Sequence, residues 1–216
     1  MRPIAFLAIA EAQQLYHWLP TALRLANEFE APVSVLSPST AMLNLIKSHD
    51  TTSKLRLIKL RRPSWHSDSL FRLPSRLATL LANYRKIAEH PVLVTTETSS
   101  AWLKLIPGFP SAMIHIKHGA GDREGGYNPR HAAFDLTIVH GEKDKRRLIE
   151  RGLCTDENCV VGGYSKFDLV VRRQRFFSND LPVILYNPHF DAKLSSWVTH
   201  GPEILKALEA LDHYNV

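Results

Sequence analysis

The densest chemistry in this sequence lies in one stretch, His115-Ile116-Lys117-His118-Gly119-Ala120-Gly121-Asp122-Arg123-Glu124-Gly125-Gly126-Tyr127. Glycines there let backbone approach a ligand closely, while His118 supplies a base that is unprotonated near neutral pH. Lys117 and Arg123 supply cations for an anionic group. The pattern is not a dinucleotide fingerprint, because Gly119-Ala120-Gly121 runs into Asp122-Arg123-Glu124 instead of a helix opened by a third glycine, and no Walker lysine loop is present. His115 and His118 sit three apart at the end of an apolar run. On a strand that spacing points them to opposite faces, which argues against a shared metal.

A second polar stretch, Thr95-Thr96-Glu97-Thr98-Ser99-Ser100, offers hydroxyls and the Glu97 carboxylate, and can equally cap the short helix expected at Trp102. His140 and Lys166 each follow a later apolar run and are expected at the same rim as His118 and Glu97. The two cysteines, Cys154 and Cys159, lack a Cys-x-x-Cys or clustered-histidine pattern and read as reduced, partly buried thiols. No cofactor or metal is implied.

The elements that must position these residues alternate between short apolar runs and helical patterns, the pattern of βαβ units. Strands are expected at Ile4 to Ile9, Val33 to Leu36, Leu55 to Leu60, Val92 to Thr95, Ala112 to Ile116, Leu136 to Val139 and Cys159 to Val161. One helical face runs through Leu15, Leu19, Leu23 and Ala26, a second through Met42, Leu45 and Ile46, and a third from Leu73 to Ala88. An Arg-rich helix is expected from Asp168 to Phe177. The turn Ser178 to Pro182 then opens a fresh strand, Val183 to Tyr186, followed by a helix that starts at Pro202. The fold expected is therefore α/β: a Rossmann-like parallel sheet flanked by helices over residues 1–178, and the start of a second, truncated domain over 179–216. Ligands of such sheets bind at the carboxyl ends of the strands. Ile4 to Ala10 behind Arg2 imitates a short leader but reads better as a first buried strand, and no run of about 18 apolar residues spans a bilayer.

With 216 residues, 44% apolar and 22% charged, the composition is globular and excludes disordered, collagen-like and disulfide-knot classes. A formal charge of +6 favours anionic partners. Lys54 to Lys86 concentrates nine basic residues against the single acid Asp68, interleaved with Trp65, Leu70 and Phe71. That segment reads as a solvated basic face or as a patch for anionic lipid headgroups. No nucleic-acid-binding module accompanies it.

Three segments together resemble the bacterial CDP-glycerol glycerophosphotransferases, the teichoic-acid polymerase and primase group. Lys117-His118-Gly119 after an apolar strand resembles that family's His-Gly segment. Val160-Val161-Gly162-Gly163-Tyr164-Ser165-Lys166-Phe167-Asp168 resembles its Gly-Tyr-Pro-Arg-x-Asp stretch, and Val183-Ile184-Leu185-Tyr186-Asn187-Pro188 its Ile-Leu-Tyr-Ala-Pro strand. The resemblance covers roughly residues 112 to 197 and implies a GT-B fold, a CDP-glycerol or other nucleotide-activated donor, and a lipid-linked or glycan acceptor. It implies a cytoplasmic location, peripheral on the inner face of the membrane. By the same analogy His118 is the catalytic base, and Lys117, Gly119, Gly121, Arg123, Glu97, His140, Lys166 and His189 bind substrate.

The sequence departs from the family at Ala120, at Ser165-Lys166 in place of Pro-Arg, and at His189-Phe190 in place of Thr-Trp, which points to a different donor or acceptor. The family's second catalytic histidine lies in the second domain, which this chain barely enters. Ala120-Gly121-Asp122-Arg123 also resembles the Ala-Gly-x-Arg of nucleotide-sugar 2-epimerases, although Gly119 stands where that group has an acid. A third reading is a non-catalytic half that binds an envelope precursor.

Overall fold

The apolar runs, rich in Val, Ile and Leu, form strands of three to five residues, too short for stable helices. In the computed structural model, which describes residues 2–62, 66, 68–70, 73–119, 126–169, 176–189 and 191–216, these are β1 (Ile4–Leu7), β2 (Val33–Ser37), β3 (Arg56–Lys59), β4 (Val92–Thr95), β5 (Ala112–Ile116), β6 (Leu136–Val139) and β7 (Cys159–Val161). They form one sheet in the order β3-β2-β1-β4-β5-β6-β7, and every pairing is parallel. Parallel neighbours need crossovers, and helices or 3-10 turns supply them. The strand order reverses between β1 and β4, so the ligand crevice of such a sheet is expected where those two strands end.

Side-chain alternation divides the core. Phe6, Val33 and Val35 pack with Leu19 and Ala22 of α2 (Leu19–Glu28) and with Met42 and Ile46 of α3 (Thr40–His49). On the other face Ala5, Leu7, Leu93 and Met113 meet Leu80 of α4 (Arg76–Ala82) and Ile87 of α5 (Tyr84–Ala88). Each fully buried large side chain contributes about 1.5–3 kcal/mol. Helix α6 (Glu142–Glu150) covers the β6–β7 end through Leu148, against Val139 and Cys159.

Four expectations need correction. The first helical face is split: α1 (Ala12–Leu15) ends before α2 begins, leaving Tyr16-His17-Trp18 as a turn. Pro20 causes the split, because inside a continuous helix its ring would collide with the Tyr16 carbonyl. The third face is split at Asn83, whose side-chain amide donates to Thr79 and Arg61 carbonyls and accepts from Arg61 N–H. Of the helix expected from Asp168 to Phe177, Asp168 and Leu169 close a 3-10 turn (Ser165–Leu169), 176–177 are not helical, and 170–175 lie outside the described residues.

The fourth correction concerns the last segment. The chain divides into two compact units, Met1–Val170 and Val171–Val216. In the second unit, Val183 to Tyr186 is not a strand. Val183 makes a single parallel bridge to Asn215, Leu185 is 84% exposed, and with no neighbouring strand among the described residues the backbone ladder does not propagate. Its helix, α7 (Ser196–Glu209), starts six residues ahead of Pro202, capped by Ser195, whose hydroxyl accepts from Trp197 N–H, so Pro202 lies inside it.

Candidate functional site at the carboxyl rim of the sheet

β1 delivers Glu11, Gln14 and His17 to the rim, β4 delivers Thr96 and Glu97, β5 delivers Lys117 to Gly119, β6 delivers His140, and β7 delivers Gly162 to Lys166. At the reversal point, Thr96 Oγ1 donates to Gln14 Oε1 at 3.0 Å. Arg76 from α4 reaches across to both flanking carboxylates, 2.8 Å from Glu11 Oε2 and 2.5 Å from Glu97 Oε2. Glu97 is only 4% exposed and its Oε1 is buried without a hydrogen-bond partner among the described residues. Removal from water pushes its carboxyl above the ordinary glutamate range, and Arg76 offsets part of that.

Beside this ion cluster stand three imidazoles. His17, in the turn made by Pro20, lies 6.2 Å from the His118 ring and 6.4 Å from the His140 ring, centroid to centroid. Tyr164 packs edge-on against both His17, at 5.3 Å, and His140, at 4.4 Å. Stacking of Trp18 on Phe6 at 5.1 Å and a hydrogen bond from Ser165 Oγ to the His17 carbonyl hold the turn in place. His140 donates from Nδ1 to the Gly163 carbonyl at 3.2 Å, leaving Nε2 as its basic nitrogen.

All three rings resist protonation. His17 is lowered to about 4, first by removal from water and then by Lys166, His118 and His140. Displaced water, then Arg76 and Lys117, put His118 below the ordinary histidine range even though it stays exposed at the rim. His140 is lowered for the same first reason, against the Gly163 carbonyl. At neutral pH these rings are therefore free bases, the form a proton acceptor needs.

The glycines after β7 fix the far wall. A Cβ at Gly162 would stand 2.5 Å from Ile138 Cγ2, and Gly163 has φ +74°, a conformation costly for other residues. An open depression of about 410 Å³ lies alongside, between α2 and this stretch, lined in part by Pro20, Arg24, Phe29, Tyr164 and Asp168.

The structure brings Glu97, His118, Gly119, His140 and Lys166 to one rim, as the spacing of strands implies. Lys117 departs from its expected role. Its side chain is 3% exposed and turns inward to Asp144 Oδ1 at 2.8 Å, which also accepts from the Tyr127 hydroxyl at 3.0 Å. Lys117 thus fastens the His118 loop to α6 and does not face a ligand at the rim. Gly121 and Arg123 lie outside the described residues, as does Ala120, and His189 belongs to the second unit, where its Nδ1 accepts from Asp191 N–H. His115 is buried, donating from Nε2 to Thr96 O, against His131. Among the described residues no group of three or more His, Cys, Asp or Glu could hold a metal ion.

Sequence reading missed Glu11, Gln14, His17, Arg76 and Tyr164. For His17 a signal existed: Pro20 breaks the helix three residues later. For Arg76, brought in from α4, no local pattern points to the rim. In the basic segment, Asp68 accepts from Ser39 Oγ and Thr40 N–H and lies near Lys59 and Arg62, 3.5 and 3.7 Å away. Together with Arg76, three of its basic side chains are therefore tied to carboxylates. Both cysteines are buried and free, and burial beside Cys154 pushes the Cys159 thiol up to about 12.

No protein-family model matches the chain, and no curated protein matches it significantly. Solved structures do match in fold. A Listeria monocytogenes protein provisionally designated a UDP-N-acetylglucosamine 2-epimerase aligns over 99% of this chain and 61% of its own, with TM-score 0.62 and 13% identity. A Rickettsia africae glycosyltransferase aligns over 99% of this chain and 58% of its own, with TM-score 0.58 and 13% identity. Arabidopsis thaliana UGT89C1, complexed with UDP, aligns over 99% and 66%, with TM-score 0.57 and 13% identity. The chain thus has the Rossmann-like α/β fold shared by GT-B glycosyltransferases and UDP-GlcNAc 2-epimerases, and it spans less than two thirds of the length of the first of these. Among the described residues no helix is long and apolar enough to cross a membrane.

Proposed function

We propose that this chain forms the acceptor-side half of a GT-B transferase that moves glycerol phosphate from CDP-glycerol, or a related nucleotide-activated donor, to a hydroxyl of a cell-envelope acceptor. The observation that carries the reading is His118, exposed at the end of β5 as a free base. In the reaction an acceptor hydroxyl oxygen attacks the β-phosphorus of the donor. Its proton passes to His118, the new O–P bond forms, and the bond to CMP breaks, so that CMP leaves with the electron pair. Backbone at Gly119 leaves room for the phosphoryl group, and Lys166 supplies positive charge beside it. Cations of the Lys54 to Lys86 segment with no carboxylate partner among the described residues, such as Lys54 and Arg56, are proposed to meet anionic lipid around a lipid-linked acceptor. Radiolabelled donor, acceptor and the intact protein test the reading: transfer of label into polymer supports it, and absence of transfer with any cytidine-activated donor overturns it.

A second reading, a nucleotide-sugar 2-epimerase, draws support from Glu97, a buried carboxyl held above its usual range at the same rim as His118. Such a group can exchange a proton on carbon. Deuterium entering C2 of UDP-GlcNAc in heavy water would favour this reading over transfer.

A further inference from the structure

His17 is nine-tenths buried, and its Nδ1 has no hydrogen-bond partner among the described residues. A buried ring nitrogen left unpaired in the free protein is a group waiting for a ligand or a water. The neighbours around it argue for an anion. The groups that face His17 are His118 from the end of β5, His140 from the end of β6, and Tyr164 and Lys166 from the stretch after β7. His118 in turn is faced by Arg76, Lys117, Glu11 and His140, and His140 by Asp144 and Lys117. Glu11 and Glu97 are engaged by Arg76, and Asp144 by Lys117. Arg76 balances one of its two carboxylates, and among the described residues the cation that faces His17 is Lys166.

We propose that His17, His118 and His140, with Lys166, form a binding site for a phosphoryl group or similar tetrahedral oxyanion, and that the cluster takes up a proton as the anion binds. The spacing suits this ligand. Two hydrogen bonds of about 2.8 Å to different oxygens of one tetrahedral anion reach nitrogen donors roughly 5–7 Å apart, a spacing that rings with centroids 6.2 and 6.4 Å apart can present. Without the anion, removal from water keeps the rings neutral, helped by Lys166 beside His17 and by Arg76 and Lys117 beside His118. A bound dianion reverses the sign of the local field, and each ring it touches becomes a better proton holder and a two-donor group. By linkage, whatever raises proton affinity on ligation makes ligation tighter as pH falls. The proposal rests on the phosphotransfer reading only for the source of the phosphoryl group. His17 enters as a binding residue that reading does not use.

Inorganic sulfate is the probe, because it does not titrate between pH 5.5 and 7.5. Imidazole resonances of the 216-residue chain are followed through pH titrations in sulfate and in chloride of equal ionic strength. The proposal expects the midpoints of His17, His118 and His140 to rise in sulfate while that of His49, packed on Tyr16, stays still. Sulfate affinity rises about 3-fold to 10-fold per pH unit as pH falls through this range, the limit for one proton taken up. In His17→Gln the affinity at pH 6 drops about 10-fold and its pH dependence flattens. Should that variant fail to fold, the resonance shifts of the unaltered chain decide alone.

Midpoints that do not move, or that move equally at His49, overturn the site. Displacement of sulfate by glycerol 3-phosphate would identify an acceptor phosphate as occupant, and displacement by CDP a donor diphosphate. Displacement by neither overturns the phosphoryl assignment. The two claims fail separately: a site that binds sulfate in a protein whose His118→Ala variant turns over normally refutes the catalytic reading alone, and loss of turnover without sulfate-linked midpoints refutes this one alone.

Discussion

Asp144→Asn removes the charge that Lys117 depends on, and the cost follows from how little water either group sees. The two side chains are 11% and 3% exposed and 2.8 Å apart, and the carboxylate also accepts from the Tyr127 hydroxyl. Stripping one partner from such a pair leaves an uncompensated ammonium in the interior, at about 3–5 kcal/mol. The amide oxygen of Asn still accepts one hydrogen bond, which puts the expected loss near the lower end, about 3 kcal/mol. For a chain of this size that corresponds to a fall in Tm of about 6–12 °C. Lys117→Met should cost less, about 1–2 kcal/mol, because Asp144 keeps Tyr127 and lies nearer to solvent. The double variant should lose less than the sum of the two singles, since neither charge is then stranded. Thermal melts by circular dichroism, with urea titrations for the free energies, measure all three. An Asp144→Asn protein melting within about 2 °C of its parent, or strictly additive losses, would refute the structural role of Lys117 and return it to the list of ligand-facing cations.

Acid should destabilise this fold well before its carboxylates titrate. His17 and His131 are each lowered to about 4, chiefly by removal from water. Between that value and about 6.5 the unfolded chain binds protons that the folded chain refuses, so stability falls as pH drops through this window, by up to about 3 kcal/mol per histidine. Urea midpoints that stay level from pH 7 to 5 would contradict this. Gly162→Ala should cost about 1–3 kcal/mol through its clash with Ile138 Cγ2, and Ile138→Ala in the same chain should recover part of it; no recovery would place the strain elsewhere. For turnover, kcat/KM should hold level at neutral pH and fall only as pH drops below about 6.5, since His118 must be deprotonated and sits below its ordinary range. A profile with its acid limb above pH 7 would exclude His118 as the titrating base.

Strands were legible in the sequence because each is a short, mostly apolar stretch rich in Val, Ile or Leu between turn residues, and their parallel order followed from the helices between them. Where a helix ended was less legible. Pro20 and Asn83 each interrupt an apolar periodicity that by itself reads as continuous, and only backbone geometry in the first case and a three-bond amide in the second explain the breaks. The strand at Val183 failed because apolar composition promises a strand only when a neighbour is present to complete its ladder. In the site, His118, Glu97, His140 and Lys166 could be placed because each closes a strand of known order. Glu11, Arg76 and His17 could not, since their meeting depends on where α1, α2 and α4 start. The direction of Lys117 was hidden for a related reason: its partner Asp144 lies 27 residues away on α6.

The central claim is that His118 removes a proton from an acceptor hydroxyl, and one pair of measurements on the same preparation tests it most directly. His118→Ala in the intact protein should lower kcat/KM for donor-dependent transfer by about 10²- to 10⁴-fold while leaving Tm almost unchanged, because the ring is exposed and holds no core contact together. Undiminished turnover in a well-folded variant, or a loss of turnover that merely tracks a loss of folded protein, would contradict it.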